Sequence, residues 1–332
     1  MLARFLIYAQ LLLCLFICLD SPVQAQENLA DLRRVYDFDL SRDAAKVVTG
    51  TMDRTIQIWD YASGQVIAAI QGPDVDVSPA EWYDLNHVAF SPDDSKVAVS
   101  FGGNVEYGRI WILDAEMGQL LLEIQTPGDV GAIDWRPDGS RIAGLVSYPM
   151  GSFVINFLRE WNTKTGEQTH EYMLQSSLAS ATRYSPNGNQ VAFTDGYAVG
   201  VFDESTWDSP YYLEGHEDFV LSLTWKPDGS KIASIDQGHV FIWDAVNSQL
   251  LTSFPKSHFE WSVDVVAWSP DGNHIAATAS PIIEMWDADT HQLVLSYDAG
   301  GYISQLIWHP DGTLIYSSGA IFTFDPFQHE QQ

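Results

Sequence analysis

The 332-residue chain has two cysteines, Cys14 and Cys18, and both fall in one apolar stretch near its start. Without that stretch no disulfide and no thiolate chemistry remain. Basic residues are scarce too: 16 Lys and Arg face 44 Asp and Glu, a formal charge of −28. A field of that sign repels phosphate backbones and anionic bilayers, so nucleic acid is not an expected partner, while a cationic one is open. The sequence has no Asn-x-Ser/Thr acceptor, no glycine-rich phosphate loop, no Gly-x-Ser-x-Gly elbow and no Cys-x-x-Cys. Its nine histidines lack metal-ligand spacing. The usual signatures of an enzyme are missing, and neither cofactor nor metal is expected. Asp74-Val75-Asp76 clusters carboxylates, but no full calcium loop follows.

What is present is apolar and aromatic. Hydrophobic residues make up 46%, with 12 Trp, 14 Tyr and 16 Phe, enough for a large core and of the kind that packs on pleated sheets. Residues 1–25 read as a secretory signal. Arg4 supplies the positive start, Phe5 to Leu19 the apolar run, and Pro22 breaks it before Val23-Gln24-Ala25. Cleavage after Ala25 leaves residues 26–332; an uncleaved anchor is the alternative. Neither cysteine follows the small residue of a lipoprotein signal, since Leu13 and Ile17 precede them. The reading is an extracytoplasmic protein, secreted or periplasmic and of bacterial type, off the membrane once cleaved.

One phrase recurs along the rest. Strand, x-Pro-Asp-Gly and strand appear at Ser91-Pro92-Asp93-Asp94, Arg136-Pro137-Asp138-Gly139, Ser185-Pro186-Asn187-Gly188, Lys226-Pro227-Asp228-Gly229, Ser269-Pro270-Asp271-Gly272 and His309-Pro310-Asp311-Gly312. Ser41-Arg42-Asp43-Ala44 is a degenerate first copy. Proline presets φ, Asp or Asn bonds its own backbone and Gly accepts positive φ, so each copy is a hairpin turn and needs no catalytic role for its Asp. A second phrase ends the third strand of each unit, best in Ile58-Trp59-Asp60, Ile242-Trp243-Asp244 and Met285-Trp286-Asp287. A further apolar run makes a fourth strand. Seven such units predict an all-β, seven-bladed propeller of four-stranded antiparallel blades, forming one domain over 26–332.

The pattern resembles the WD-repeat propeller family over essentially the whole mature chain, with some likeness to TolB-like periplasmic propellers. The fifth unit is the fullest copy, from Gly215-His216 through Trp225-Lys226-Pro227-Asp228-Gly229 to Trp243-Asp244. The resemblance implies a buried hydrogen-bonded network of His216, Ser234, Asp236 and Trp243 with a structural role. Only three units end their third strand in Trp-Asp and only one, at Gly215-His216, opens with Gly-His, so the fold is implied more firmly than any particular function.

Two further expectations concern the ring. The seventh unit stops at about Asp325 with no fourth strand, and an open sheet edge is a hazard. Residues Gln26 to Leu32 are therefore expected to close the last blade. Spacing between the phrases puts extra residues at Gly72 to Asn86, Phe101 to Gly108 and Ser147 to Asn156, with a smaller excess at Lys256 to Asp264. All are expected as loops on the face opposite the Pro-Asp-Gly turns. They form an aromatic and acidic rim: Trp82, Tyr83, Phe101, Tyr107, Tyr148 and Phe153, with Phe259 and Trp261 facing them. Asp74, Asp76, Glu81, Asp84 and Glu106 add charge. Rings that anchor an interface account for such a rim; rings folded down as core account for it equally. The function expected is a monomeric, non-enzymatic scaffold for a protein or peptide. A secreted propeller hydrolase, or a sensor of small ligands or glycans at the channel mouth, is the alternative.

Overall fold

Each hairpin turn closes on its own Asp, or on Asn187 in the fourth unit. Ser95, Ser140 and Ser230 donate their backbone N–H to Asp93, Asp138 and Asp228 at 3.1, 2.9 and 2.9 Å. The glycine that follows takes positive φ, 70° at Gly139 and 73° at Gly229. Ala44 and Asp94 occupy that position in the first two units at 57° and 58°, a strained choice for residues with a Cβ. At Asp94 the carboxylate reaches the preceding unit and accepts from the Arg42 N–H at 2.7 Å.

The computed structural model describes residues 35–51, 53–73, 85–102, 107–150, 153–256, 264–318 and 320–327. Its strands form seven antiparallel meanders. Blade 1 is β1 (Val35–Leu40), β2 (Lys46–Thr51), β3 (Thr55–Asp60) and β4 (Val66–Gln71). Blade 2 is β5 (Leu85–Phe90), β6 (Lys96–Phe101), β7 (Gly108–Asp114) and β8 (Leu120–Thr126). Blade 3 is β9 (Asp129–Trp135), β10 (Arg141–Met150), β11 (Phe153–Asn162) and β12 (Gln168–Met173). Blade 4 is β13 (Thr182–Tyr184), β14 (Gln190–Asp195), β15 (Ala198–Asp203) and β16 (Tyr211–Glu214). Blade 5 is β17 (Ser222–Trp225), β18 (Lys231–Ile235), β19 (His239–Asp244) and β20 (Gln249–Pro255). Blade 6 is β21 (Val266–Trp268), β22 (His274–Ala279), β23 (Ile282–Asp287) and β24 (Leu293–Asp298). Blade 7 has β25 (Gln305–Trp308), β26 (Leu314–Ser317) and β27 (Ile321–Phe324) among the described residues.

The expected seven-bladed all-β propeller is the fold found. First strands of successive blades touch all the way round, β25 returning to β1. The core lies between blades: β2 and β3 supply Val48, Ile56 and Ile58, which pack against Leu85, Val97 and Phe101 of blade 2. Blade 7 closes on blade 1 through Ile315 and Ile321 against Val35, Phe38 and Trp59. In five blades the pairing of third and fourth strands slips at the Trp position or its equivalent, between Ile58/Trp59, Ile112/Leu113, Glu160/Trp161, Ile242/Trp243 and Met285/Trp286. Such bulges re-aim the side chain.

The strand expected from Gln26 to Leu32 lies outside the described residues. A chain beginning at Val35 is expected to melt about 5 °C below the one beginning at Gln26, the cost of an unpaired blade edge; equal midpoints in a thermal scan count against closure by this segment.

One expectation needs correcting. The extra residues of the third unit, Ser147 to Asn156, are not a loop. They lengthen β10 and β11, which pair from Arg141↔Asn162 out to Met150↔Phe153. The insert satisfies its own backbone polar groups as ladder, which a surface loop of equal length would leave to water. β9 stops at Asp129↔Ser147 and β12 at Met173↔Phe157, so the tip of this hairpin stands beyond its neighbours.

Candidate functional site

In each blade the first–second and third–fourth turns lie on one side of the ring, here the turn face. The second–third turns and the blade-to-blade connections lie on the other, the loop face. Seven aromatic side chains are exposed among the described residues: Tyr36, Tyr107, Tyr148, Phe153, Tyr197, Tyr302 and Phe327. All but Phe327 sit on the loop face, at the start of a first strand, at a second–third turn or in a blade-to-blade connection. Phe153 is the most exposed, at 74%, and Met150 and Val154 extend its apolar tip.

Phe101 corrects the rim. It is fully buried, meets Trp111 edge-on at 5.3 Å and belongs to the core between blades 1 and 2. Its place in β6, before the turn begins, gives it an inward position. Tyr107, Tyr148 and Phe153 are exposed on the loop face. Trp82, Tyr83, Phe259 and Trp261 lie outside the described residues, as do Asp74, Asp76, Glu81, Asp84 and Glu106. Tyr36, Tyr197 and Tyr302 were missed, because each stands in a unit of ordinary length and spacing marked only insertions.

The channel mouth opens at the centre of the loop face as a cavity of about 660 Å³. Tyr36 and Tyr302 flank it, and Asp37, Asn86, His87, Asp129, Arg183 and Gln305 line it. The lining comes from first strands, whose inner edges have no sheet partner. Side chains take that role. The N–H groups of Val88 and Phe90 donate to Asp37 and Asp39 at 2.8 and 2.7 Å, and that of Tyr184 donates to Asp134 at 2.7 Å. In return, the indole N–H groups of Trp135, Trp225 and Trp308 donate to the Ala89, Arg183 and Ala267 carbonyls at 3.1, 3.1 and 3.2 Å. Each bond joins one blade to the next, so the ring is stitched along the channel wall.

The wall carries more acid than base. Burial pushes Asp39 up to about 7 against the Phe90 and Leu40 N–H groups. Burial likewise pushes Asp134 up to about 6, opposed by the Arg183 guanidinium. His87 is driven the other way, below its ordinary value, by burial that outweighs the pull of Asp37. The channel therefore holds carboxyls that an added positive charge would ionise. No group of three or more His, Cys, Asp or Glu suited to a metal occurs among the described residues.

The network implied for the fifth unit is present. His216 Nδ1 lies 3.0 Å from Asp236 Oδ2 and Nε2 lies 2.7 Å from Ser234 Oγ, which also accepts from the Trp243 indole at 2.7 Å. Asp236 only accepts, so Nδ1 carries the proton and the Ser234 hydroxyl donates to Nε2. Ser234 is 0% exposed; no substrate reaches it, and the chain of bonds is structural. In blade 1 only its end survives, Trp59 to Thr49 at 3.0 Å.

The turn, Trp and His-Ser-Asp features on this seven-bladed propeller are similar to those of WD-repeat proteins. The model of the WD domain, G-beta repeat, matches residues 29–60, 207–244 and 248–287. The chain is similar to protein groucho of Drosophila melanogaster, 30% identical over 219 residues, 64% of this chain and 27% of that protein. It is 23% identical over 226 residues to WD repeat-containing protein 1 of Xenopus tropicalis, 67% of this chain and 36% of that protein. It is 25% identical over 195 residues to a putative BTB/POZ domain and WD-repeat protein of Acanthamoeba polyphaga mimivirus, 55% of this chain and 35% of that protein. These matches support a WD-repeat propeller, and they span about a quarter to just over a third of the relatives' lengths. The matched segment 248–287 starts with β20, the outer strand of one blade, and runs through three strands of the next.

Proposed function

We propose that the chain is a non-enzymatic interaction platform outside the cytoplasm, which holds a protein or peptide, cationic where it touches, on its loop face. The WD-repeat likeness suggests a protein-interaction scaffold in general. The observation that carries the reading further is the one-sided placement of exposed aromatics, six of seven on the loop face. Such rings bury large area with few rotors to freeze, and a patch of them on a soluble surface marks an interface. The charge of −28 and the carboxyls of the channel wall favour a basic partner.

Replacing Tyr107, Tyr148 and Phe153 together by Ser removes the exposed aromatics of blades 2 and 3 among the described residues. The expected result is loss of a partner that the parent captures by cross-linking from the extracytoplasmic fraction, about ten-fold or more in apparent affinity. Melting should stay within about 2 °C, because exposed positions contribute little to folding. Unchanged capture would remove the loop face as the binding surface. A second reading, a sensor of small ligands, rests on the mouth cavity. A ligand screen that shifts the melting point of the parent but not of Asp37→Asn would favour it.

A further inference from the structure

Counted back from the turn Asp or Asn of each unit, the channel wall is two tiers of side chains, one from every blade. The upper tier, six residues before the turn, lines the mouth cavity. The lower tier, four residues before it, lines a second cavity of about 270 Å³ further down the channel. In the upper tier the longer polar groups stand together on blades 7, 1 and 2, as Gln305, Asp37 and His87. Blades 3, 4 and 5 place Ala132, Ala181 and Ser222 there instead. Three residues of the lower tier carry charge: Asp39 of blade 1, Asp134 of blade 3 and Arg183 of blade 4.

Arg183 is the one lower-tier residue that also lines the mouth cavity. It therefore floors that cavity on the side where the upper tier is small. No other Lys or Arg lines either cavity among the described residues. Its guanidinium makes a single bond, from Nη1 to the Thr182 carbonyl at 2.8 Å, and no ion pair with a described carboxylate. The wall carboxylates are engaged elsewhere. Asp37 accepts from the Gln305 amide and the Val88 N–H, Asp39 from the Leu40 and Phe90 N–H groups, and Asp134 from the Tyr184 N–H. Arg183 acts on Asp134 and Asp39 through charge alone. A guanidinium with donors to spare at the floor of a cavity is a fork for an anion with two oxygens. With Asp39 and Asp134 in the same tier, a monoanionic carboxylate fits better than a dianionic phosphate.

We propose that the channel mouth is a carboxylate site, in which Arg183 holds the carboxylate of a ligand lying along Ala132, Ala181 and Ser222 and leaving past Tyr36 and Tyr302. Two sources carry that chemistry, the free carboxy terminus of a peptide and a small free acid. The mouth cavity, about 660 Å³, has room for either. A chain end deepens the loop-face reading by naming the part of the partner that is held, and a free acid deepens the small-ligand reading. Asp39 and Asp134, pushed up by burial to about 7 and about 6, share the tier with Arg183. Asp37 and His87, the latter lowered by burial, stand above them. An anion on Arg183 offsets its pull on both carboxyls and favours their protonated forms. Binding therefore takes up protons and tightens as pH falls through those values.

The test is fluorescence anisotropy of the full chain with one probe, dansyl-Gly-Lys-Gly-Ala, as the free acid and as the carboxy-terminal amide. The acid is expected to bind saturably and about ten-fold more tightly than the amide, the worth of a charge-assisted pair. That preference should grow as pH falls from about 8.5 to about 5.5. Arg183→Gln should bind the acid no better than the amide. It keeps the stitch between blades, because the Trp225 indole bonds the Arg183 backbone carbonyl, at 3.1 Å. Arg183→Lys, which keeps the charge and loses the fork, should retain only part of the preference. Displacement of the probe by N-acetyl-alanine as readily as by the unlabelled peptide makes the ligand a small free acid. Displacement by the peptide acid alone makes it a chain end. Equal binding of acid and amide by the parent, absence of saturable binding, or a preference that survives Arg183→Gln overturns the site. Capture by the loop-face triple variant enters none of these outcomes, so the two readings fail separately.

Discussion

Lys256→Met is expected to destabilise the fold by about 3–5 kcal/mol, the loss typical of stripping one partner from a buried ion pair. Lys256 Nζ bonds Asp264 Oδ2 with both side chains essentially out of solvent, 1% and 0% exposed. The Lys256 N–H is itself fixed to the Gly238 carbonyl at 3.0 Å. Methionine keeps the volume and leaves the Asp264 carboxylate in a low-dielectric site without its cation. In urea the midpoint should fall with the slope unchanged, since the surface exposed on unfolding is the same. Adding Asp264→Leu should recover at least half of the loss, because two apolar groups replace the pair. If the single variant keeps its midpoint, the two residues are not paired in solution.

Asp236→Ala should cost about 3 kcal/mol at neutral pH, a buried charged acceptor removed from three donors. His216 Nδ1, the Gly238 N–H and the His239 N–H all lose their partner, at 3.0, 2.8 and 2.7 Å in the parent. The cost has a predictable pH dependence. Burial alone would raise the Asp236 pKa, but the His216 bond and the two backbone N–H groups outweigh it and hold the value below the ordinary 3.8. A carboxyl depressed in the folded state contributes stability above its unfolded pKa and loses it as pH falls through the folded one. The gap between parent and variant should therefore be full at pH 7 and begin to close below about pH 4. A gap that holds constant down to pH 2 would mean that folding leaves the Asp236 pKa unshifted. A catalytic part for the Ser234 hydroxyl is a separate matter, ruled out by its lack of exposure.

The sequence by itself determined the repeat, its number and its turns, because those are local. Pro-Asp-Gly sets its own φ values and bonds its own backbone whatever surrounds it. Apolar alternation of strand length then leaves each blade little choice but to bury its faces against a neighbour. The His216–Asp236 network was legible through the resemblance to WD-repeat propellers; its members fall within one unit, Ser234 and Trp243 on adjacent strands and His216 and Asp236 in the connections beside them.

What escaped the sequence depends on distance. Phe101 counted as rim because it borders an insertion, and only the register of β6 shows it facing the core. Ser147 to Asn156 counted as loop because length alone does not distinguish a loop from a longer hairpin. The channel mouth is further from reach, since Asp37 accepts from Gln305 at 2.9 Å across 268 residues of chain, a contact made only when the ring closes. At the seam of blades 3 and 4, Arg136 Nε of one blade stands 3.8 Å from Glu204 Oε2 of the next, a neighbour that only packing supplies. Local chemistry fixed the fold, while the assembled ring alone decided which charges meet across the blades.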